Sequence, residues 1–530
     1  MVKPYKLFLV LLILIGLLSL PCYFVTNGGY KFAGFTVKFP TLPELFDISE
    51  DTIVSSYSLD PELARLDFLI DSISYNLSFF EVDSFLPKNY STPVAEVDSI
   101  LVPAEAEDVE MSLTSEVLKN RHIPIEYPDS SLAALEPFFF ALESNLPAKQ
   151  LVRVLHFGDS QIEGDRITSF LRARLQKRFG GRGVGLLHAV PHSYQPGSIR
   201  QTNSSNWEKI LVSDMGKGGV GNRFGVLGGY SAFTSKRLFS KGGFGEAWVK
   251  FQRIGPRAST ARNFTQCRIF YGHNVEPFLV SLSYNGKTAD AEMVAPTKRV
   301  SSNTWSVPTS QNVFTIDIKG DESPMVYGIS LESKTGVIVD NIPLRGSSGT
   351  DFTRSDDATL KQFMQLLNVR LIILQFGVNL VPHIVDSYKF YENQLYNQII
   401  ALKRANPKAA VVLIGVSDMS RKEGAAFVSY PNISKIRDAQ RNAAMRAGAA
   451  FWDCFRAMGG ENSMPAWVFA NPPLASKDFV HFSLRGSKLI AEMFYSSLMA
   501  EYDRFLASKM QSSQLSQNEA ENLEFETNEN

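Results

Sequence analysis

The sequence predicts an α/β fold on a mostly parallel sheet, carrying an inserted all-β module. Three observations predict it. Short apolar runs, each closed by a Gly, Ser or Asn turn, alternate with segments of helical spacing in two stretches, 136–200 and 331–510. The stretch between them, 201–330, changes to Gly-rich turns and short alternating strands, the pattern of an all-β module of sandwich or jelly-roll type. The chain has 530 residues, more than one hydrophobic core accommodates, so more than one folded unit is expected.

Taken in order, Lys3 and Lys6 precede an apolar run from Leu7 to Leu20 that continues to Val25. Pro21 before Cys22 is a poor lipoprotein signal and no small-x-small site follows, so residues 1–28 are expected to form an uncleaved signal anchor that exports the rest. Residues 29–135 mix short apolar patches with acidic, Pro-containing stretches and read as an extended stem. Leu132, Leu135, Phe138, Phe139 and Leu142 repeat at helical spacing and lead into a buried strand over 151–157. That strand ends in Gly158-Asp159-Ser160, and Ile167, Phe170, Leu171, Leu175 and Phe179 then mark one face of a helix. In the module, strands are expected near 268–271, 278–282 and 314–318, with a hairpin turn at Asn285-Gly286. Beyond it, strands over 337–339, 371–376 and 410–416 and helices over 391–404 and 488–506 restore the α/β pattern. Residues 511–530, rich in Ser, Gln, Asn and Glu, read as a disordered polar tail.

Hydrophobic residues make up 44% and charged residues 20%, the composition of a chain that buries a core. Lys and Arg total 53 against 54 Asp and Glu, so no electrostatic excess draws in a polyanion, which argues against nucleic acid as partner. Cys22, Cys267 and Cys454 form no metal spacing and no disulfide framework. They read as small buried residues, with a Cys267–Cys454 bridge as the alternative. No His, Cys and Asp cluster has metal-ligand spacing, and neither metal nor cofactor is expected.

A serine on a tight turn between a buried strand and a helix stands at the carboxyl edge of the sheet, where ligands of open α/β folds collect. Ser160 is so placed; its alternative reading is a helix N-cap. A serine hydroxyl needs a base to take its proton, and the base needs a carboxylate to hold its tautomer. Of seven histidines, His481 has a carboxylate at a suggestive spacing, Asp478, just before the last long helix. A helix-start Asp beside an incidental His is the alternative for that pair. His156, on the strand itself, reads as a packed, hydrogen-bonded histidine, and His383, after Pro382, as a residue of the cleft. Acyl transfer also needs donors for the oxyanion. Candidates are the Asn379 amide at a strand end, the Gly349 N–H, where a side chain would block substrate, and the N–H of Ser160.

In this order, Gly158-Asp159-Ser160, the Gly349 turn, Gly377-Val378-Asn379 and Asp478-Phe479-Val480-His481 resemble the four blocks of the SGNH/GDSL hydrolase superfamily. The resemblance covers about 150–200 and 331–505. It implies a flavodoxin-like, three-layer fold, with Ser160, Asp478 and His481 as catalytic residues and Ser160, Gly349 and Asn379 as the oxyanion hole. A closer resemblance is to envelope polysaccharide and peptidoglycan O-acetylesterases, which share residues 156–165 in outline and carry an inserted β-sandwich. The block departs from those relatives at Gln161, where they often have His or Thr, and this bears on the fine substrate contacts. Glu163, Asp165 and Arg166 read as helix-dipole partners or as substrate contacts, and Asp418, ending a strand, as a weaker site candidate. The implied protein is a serine esterase acting on an O-acylated, chiefly O-acetylated, envelope glycan, anchored in a bacterial inner membrane and facing the periplasm. Two other readings share the same residues. One is an O-acetyltransferase served by a membrane acyltransferase partner, which the anchor and stem motivate; the other is a catalytically silent glycan-binding protein.

Overall fold

The structure is a computed structural model describing residues 30–32, 35–37, 123–129, 132–145, 149–191, 195–215, 221–233 and 245–528. The expected anchor at 1–28, most of the expected stem and the end of the tail lie outside the described residues. Among the described residues no helix is long and apolar enough to cross a membrane. The chain divides into two units, 1–58 and 59–530. The described part of the first is an antiparallel hairpin of β1 (Tyr30–Phe32) and β2 (Phe35–Val37).

In the second unit, helix α1 (Glu136–Asn145) leads into β3 (Leu151–Gly158), and helix α2 (Thr168–Phe179) follows. The chain then leaves the α/β layer for eleven strands. These are β4 (Gly185–Leu187), β5 (Ile199–Asn203), β6 (Trp207–Leu211), β7 (Gly229–Phe233), β8 (Gly245–Arg253), β9 (Gln266–Asn274), β10 (Phe278–Tyr284), β11 (Lys287–Val294), β12 (Thr297–Ser306), β13 (Val313–Gly320) and β14 (Met325–Glu332). They form two antiparallel sheets, β11-β10-β13-β8-β5 and β12-β9-β14-β7-β6, with β4 added beside β14. Alternate residues such as Val249, Phe251, Ile269, Val280, Ile316 and Ile329 point between the sheets and form their shared core. Asn285 and Gly286, at φ +50° and +75°, make the hairpin turn between β10 and β11 expected from the sequence.

The chain returns through β15 (Gly336–Pro343), helix α3 (Asp357–Leu367), β16 (Val369–Gln375), helix α4 (Lys389–Ala405), β17 (Ala410–Ile414) and the hairpin β18 (Ser420–Glu423)–β19 (Ala426–Ser429). Helix α5 (Ile433–Arg446), β20 (Ala450–Trp452), the short helices α6 (Cys454–Met458) and α7 (Ser463–Val468), and the long helix α8 (Leu484–Asn528) complete it. Strands β15, β3, β16, β17 and β20 form one sheet, parallel throughout. Because both faces are covered, successive residues serve opposite cores. Val152, Val154, Leu371, Ile373 and Val412 pack with α1, α2 and α8, whereas Leu155, Phe157, Ile372, Leu374 and Leu413 pack with α3, α4 and α5. This α/β/α layering explains why these strands read as unbroken apolar runs. Counted in chain order, the five strands lie in the order 2-1-3-4-5, so the winding reverses between β3 and β16. Ligands of open α/β sheets collect at the carboxyl edge beside such a reversal.

Three boundaries differ from the sequence reading. The module begins at β4 and ends with β14, wider than 201–330, because three-residue β4 has no alternation to reveal it. The stem reading fails over 123–129 and 132–135: Ile123, Ile125, Leu132 and Leu135 are core residues, and Glu126 bridges Phe451 of the edge strand. The tail reading fails over 511–528, where α8 continues, since neither Gly nor Pro interrupts the chain after Gly486. The alternative of a Cys267–Cys454 bridge also falls, both being free thiols buried in different cores.

Candidate active site

The nucleophile turn starts from β3. Asp159, not Ser160, caps the 3-10 turn Ser160–Asp165, its Oδ1 accepting the N–H of Gln161 at 3.0 Å. The N-cap alternative for Ser160 is thereby removed, and its hydroxyl is left for other work. The other oxygen of Asp159 accepts the N–H of Gly377 at 3.1 Å, so this buried carboxylate ties the turn after β3 to the turn after β16 where the winding reverses. Burial pushes its pKa up to about 6, against the opposing pull of the backbone N–H groups it accepts.

Ser160 Oγ lies 2.8 Å from His481 Nε2, and His481 Nδ1 lies 2.7 Å from Asp478 Oδ2. The second Asp478 oxygen accepts the N–H groups of Val480 and His481, both at 3.0 Å. Asp478 therefore shapes the loop and orients the ring with one carboxylate, and the network assigns the proton to Nδ1 and the free lone pair to Nε2. Partial burial raises the Asp478 pKa, but the His481 ring and those N–H groups outweigh it and hold the carboxyl down at about 2, ionised at any working pH. Between Asp478 and His481 the chain passes through Phe479 at φ +58°, uncommon for a bulky residue. It is held there by the ring of Phe427 from the β18–β19 hairpin, stacked at 3.8 Å, and by the Ser420 N–H, which donates to its carbonyl.

The oxyanion candidates are in different states. Ser160, first in its turn, has an N–H with no intrahelical acceptor. Asn379 is half-buried and donates one amide N–H to Ser347 O at 2.9 Å, leaving the second for the site. The N–H of Gly349 is taken up by Ser347 Oγ at 2.9 Å, and that hydroxyl donates to Asp351. Glycine is required at 349 by its φ of +79° and by the Phe376 ring, 2.7 Å from where a Cβ would stand, rather than by an incoming substrate. Gly349→Ala is expected to lower stability by about 1–3 kcal/mol. Urea denaturation checks this, and an unchanged midpoint would show that the loop gives way freely.

Several of the remaining candidates are tied into the fold. Asp165 is buried in a two-bond ion pair with Arg172 at 2.7 and 2.8 Å, and so faces no substrate. Arg166 donates to the carbonyls of Glu163 at 2.8 Å and Ser160 at 2.5 Å, while Glu163 meets Arg345 at 3.5 Å. Asp418 is fully buried, accepting from Ser429 and from the N–H of Met464; burial moves its pKa up to about 6. His156 is wholly buried between Gln375 and Thr168, and burial lowers its pKa to about 4, which keeps it neutral. His383 is exposed on the loop after Asn379. Gln161, read from the sequence as a substrate-contact position, is only 2% exposed and turns inward to Val480 O, Ser417 Oγ and Phe482 N. A glutamine in the first turn of a helix looks like surface, and no periodicity marks it otherwise. Among the described residues no group of three or more His, Cys, Asp or Glu is placed to hold a metal ion.

No protein-family model matches the chain, and no curated protein matches its sequence. Solved structures do match by shape. A peptidoglycan O-acetylesterase aligns with 72% of this chain and 99% of its own, at 20% identity and a TM-score of 0.57. A salicylyl-acyltransferase from a tetracycline biosynthetic pathway aligns with 48% of this chain and 82% of its own, at 13% identity and a TM-score of 0.23. A family two carbohydrate esterase from Clostridium thermocellum, solved with cellohexaose, aligns with 51% of this chain and 94% of its own, at 8% identity and a TM-score of 0.23.

Proposed function

We propose, from the premise that this chain has the SGNH/GDSL hydrolase fold, that it is a serine esterase removing O-acyl groups from an envelope glycan. The observation that carries the proposal is the continuous chain of hydrogen bonds from Ser160 through His481 to Asp478 at the reversal point of the sheet. In the first half-reaction His481 Nε2 takes the proton of Ser160 Oγ as the oxygen attacks the ester carbonyl. The carbonyl becomes an oxyanion facing the N–H of Ser160 and the amide of Asn379, and Asp478 stabilises the imidazolium. Collapse breaks the bond to the sugar oxygen, which leaves with the proton from His481, and the acyl group stays on Ser160. In the second, water gives its proton to His481 and attacks the acyl carbonyl; the acid leaves and Ser160 recovers its proton.

O-Acetyl groups on peptidoglycan or a related polysaccharide are the favoured substrate, supported by the structural likeness to a peptidoglycan O-acetylesterase. An exported protein on an N-terminal anchor fits that substrate. With a sugar hydroxyl in place of water in the second half-reaction, the same residues would act as an O-acetyltransferase, with a membrane acyltransferase as partner. Release of acetate from O-acetylated peptidoglycan and from a chromogenic acetate ester, compared with Ser160→Ala, tests the reading; an inactive but folded parent would refute it. Asn379→Ala is expected to lower kcat by about a hundredfold or more with little change in KM. Steady-state kinetics on the chromogenic ester check this, and a change confined to KM would remove Asn379 from the oxyanion hole.

A further inference from the structure

We infer that Gln161 is a positioning residue that sets the distance between Ser160 and His481; the inference rests on the esterase reading above. The two groups come from turns 321 positions apart in the chain, and a proton passes between them only while their separation stays near hydrogen-bond length. Some fixed connection beside the reacting pair must hold it. The amide of Gln161, next in the chain to the nucleophile, supplies one. Its Nε2 donates to Val480 O at 2.6 Å and to Ser417 Oγ at 3.2 Å, and its Oε1 accepts the N–H of Phe482 at 3.3 Å.

Val480 and Phe482 flank His481, so one side chain engages the backbone on both sides of the base, with a donor to a carbonyl and an acceptor to an N–H. A primary amide offers both whatever the pH. The Ser417 contact extends the connection to the segment leaving β17, so three turns of the carboxyl edge are fastened at one buried point. At 2% exposure Gln161 touches no substrate, which makes its action indirect. The far side of the base loop has its own brace, the stack of Phe427 on Phe479, but that stack connects the loop to the β18–β19 hairpin and not to the nucleophile turn.

Two substitutions separate positioning from packing. Gln161→Met keeps the volume and removes all three polar contacts, and its kcat is expected to fall about a hundredfold at unchanged KM, as for a small misplacement of reacting groups. Gln161→Glu keeps the acceptor, but its carboxyl donates to Val480 O only while protonated. Its kcat relative to the parent is therefore expected to fall as pH rises, whereas the loss in Gln161→Met stays constant across pH. Should Gln161→Met not fold, the Glu variant at low pH retains both contacts and carries the test. Parental kcat in folded Gln161→Met, a loss there confined to KM, or a Gln161→Glu variant whose kcat relative to the parent does not fall at any pH, would overturn the inference.

A measurement independent of turnover distinguishes this failure from failure of the esterase reading. In ¹⁵N-histidine NMR spectra the Nε2 resonance of His481 is expected to move in Ser160→Ala and to move to the same position in Gln161→Met. If it stays at the parental position in folded Gln161→Met, positioning is refuted whatever the substrate. If it moves while the parent hydrolyses no ester, only the esterase reading fails.

Discussion

Ser160→Ala and His481→Ala should each lower ester turnover by about 10⁴-fold or more, and the double variant should be little worse than either alone. The reason is that nucleophile and base act as a unit: without the hydroxyl there is nothing for Nε2 to deprotonate, and without the ring the hydroxyl stays a weak nucleophile. Thermal melts should stay close to the parent, since Ser160 and His481 are both only partly buried and lie at the rim of the sheet. Rate assays on the chromogenic ester with all three variants check the expectation. Losses that multiply in the double variant would mean that the two side chains act independently, and a His481→Ala variant with near-parental turnover would exclude His481 as the base.

The second large effect lies away from the site. Arg153, on β3, is wholly buried and bonds both oxygens of Asp340 on β15, at 2.7 and 2.8 Å, together with Glu332 and Ser330 on β14. Burial pushes the Asp340 carboxyl up, Arg153 beside it pulls it down, and the balance lies above the usual carboxylate range. Arg153→Met leaves the buried Asp340 carboxyl without its cation and should lower stability by about 3–5 kcal/mol near neutral pH. That carboxyl would then hold its proton in the folded state at a pH where the unfolded chain has released it, so stability is retained at low pH and lost as pH rises. The deficit against the parent should accordingly be smaller at pH 5 than at pH 8. Denaturation midpoints that stay parallel across that range would show that the cluster is not held together by charge.

The parallel sheet was legible because its central strands carry unbroken apolar runs between turn residues, the mark of a strand buried on both faces. The hairpin at Asn285-Gly286 was legible because only residues tolerant of positive φ suit it. Strand β20 was not, since three residues, Ala450 to Trp452, give no periodicity and its partner at Glu126 comes from a stretch that reads as linker. At the site, spacing brought out the residues that touch each other through local sequence, as Asp478 and His481 do. What it did not bring out are roles that depend on distant backbone: Asp159 accepting from Gly377, or Gln161 donating to Val480 O. Side chains that bond main chain across hundreds of positions leave no pattern in a linear sequence.

The inserted module starts and finishes on hydrogen-bonded neighbours, with Gly185 of β4 opposite Leu331 of β14. This bears on how the sheet assembles. Arg153 and Asp340, which meet in the finished sheet, stand 187 positions apart, and an unfolded connection of that length would have to be closed against chain entropy before β15 could dock beside β3. Once the module has folded, its paired ends replace that long loop with a short one, and the effective separation of the two parallel strands falls to a few tens of residues. The module therefore shortens, in kinetic terms, the very connection that its insertion lengthened.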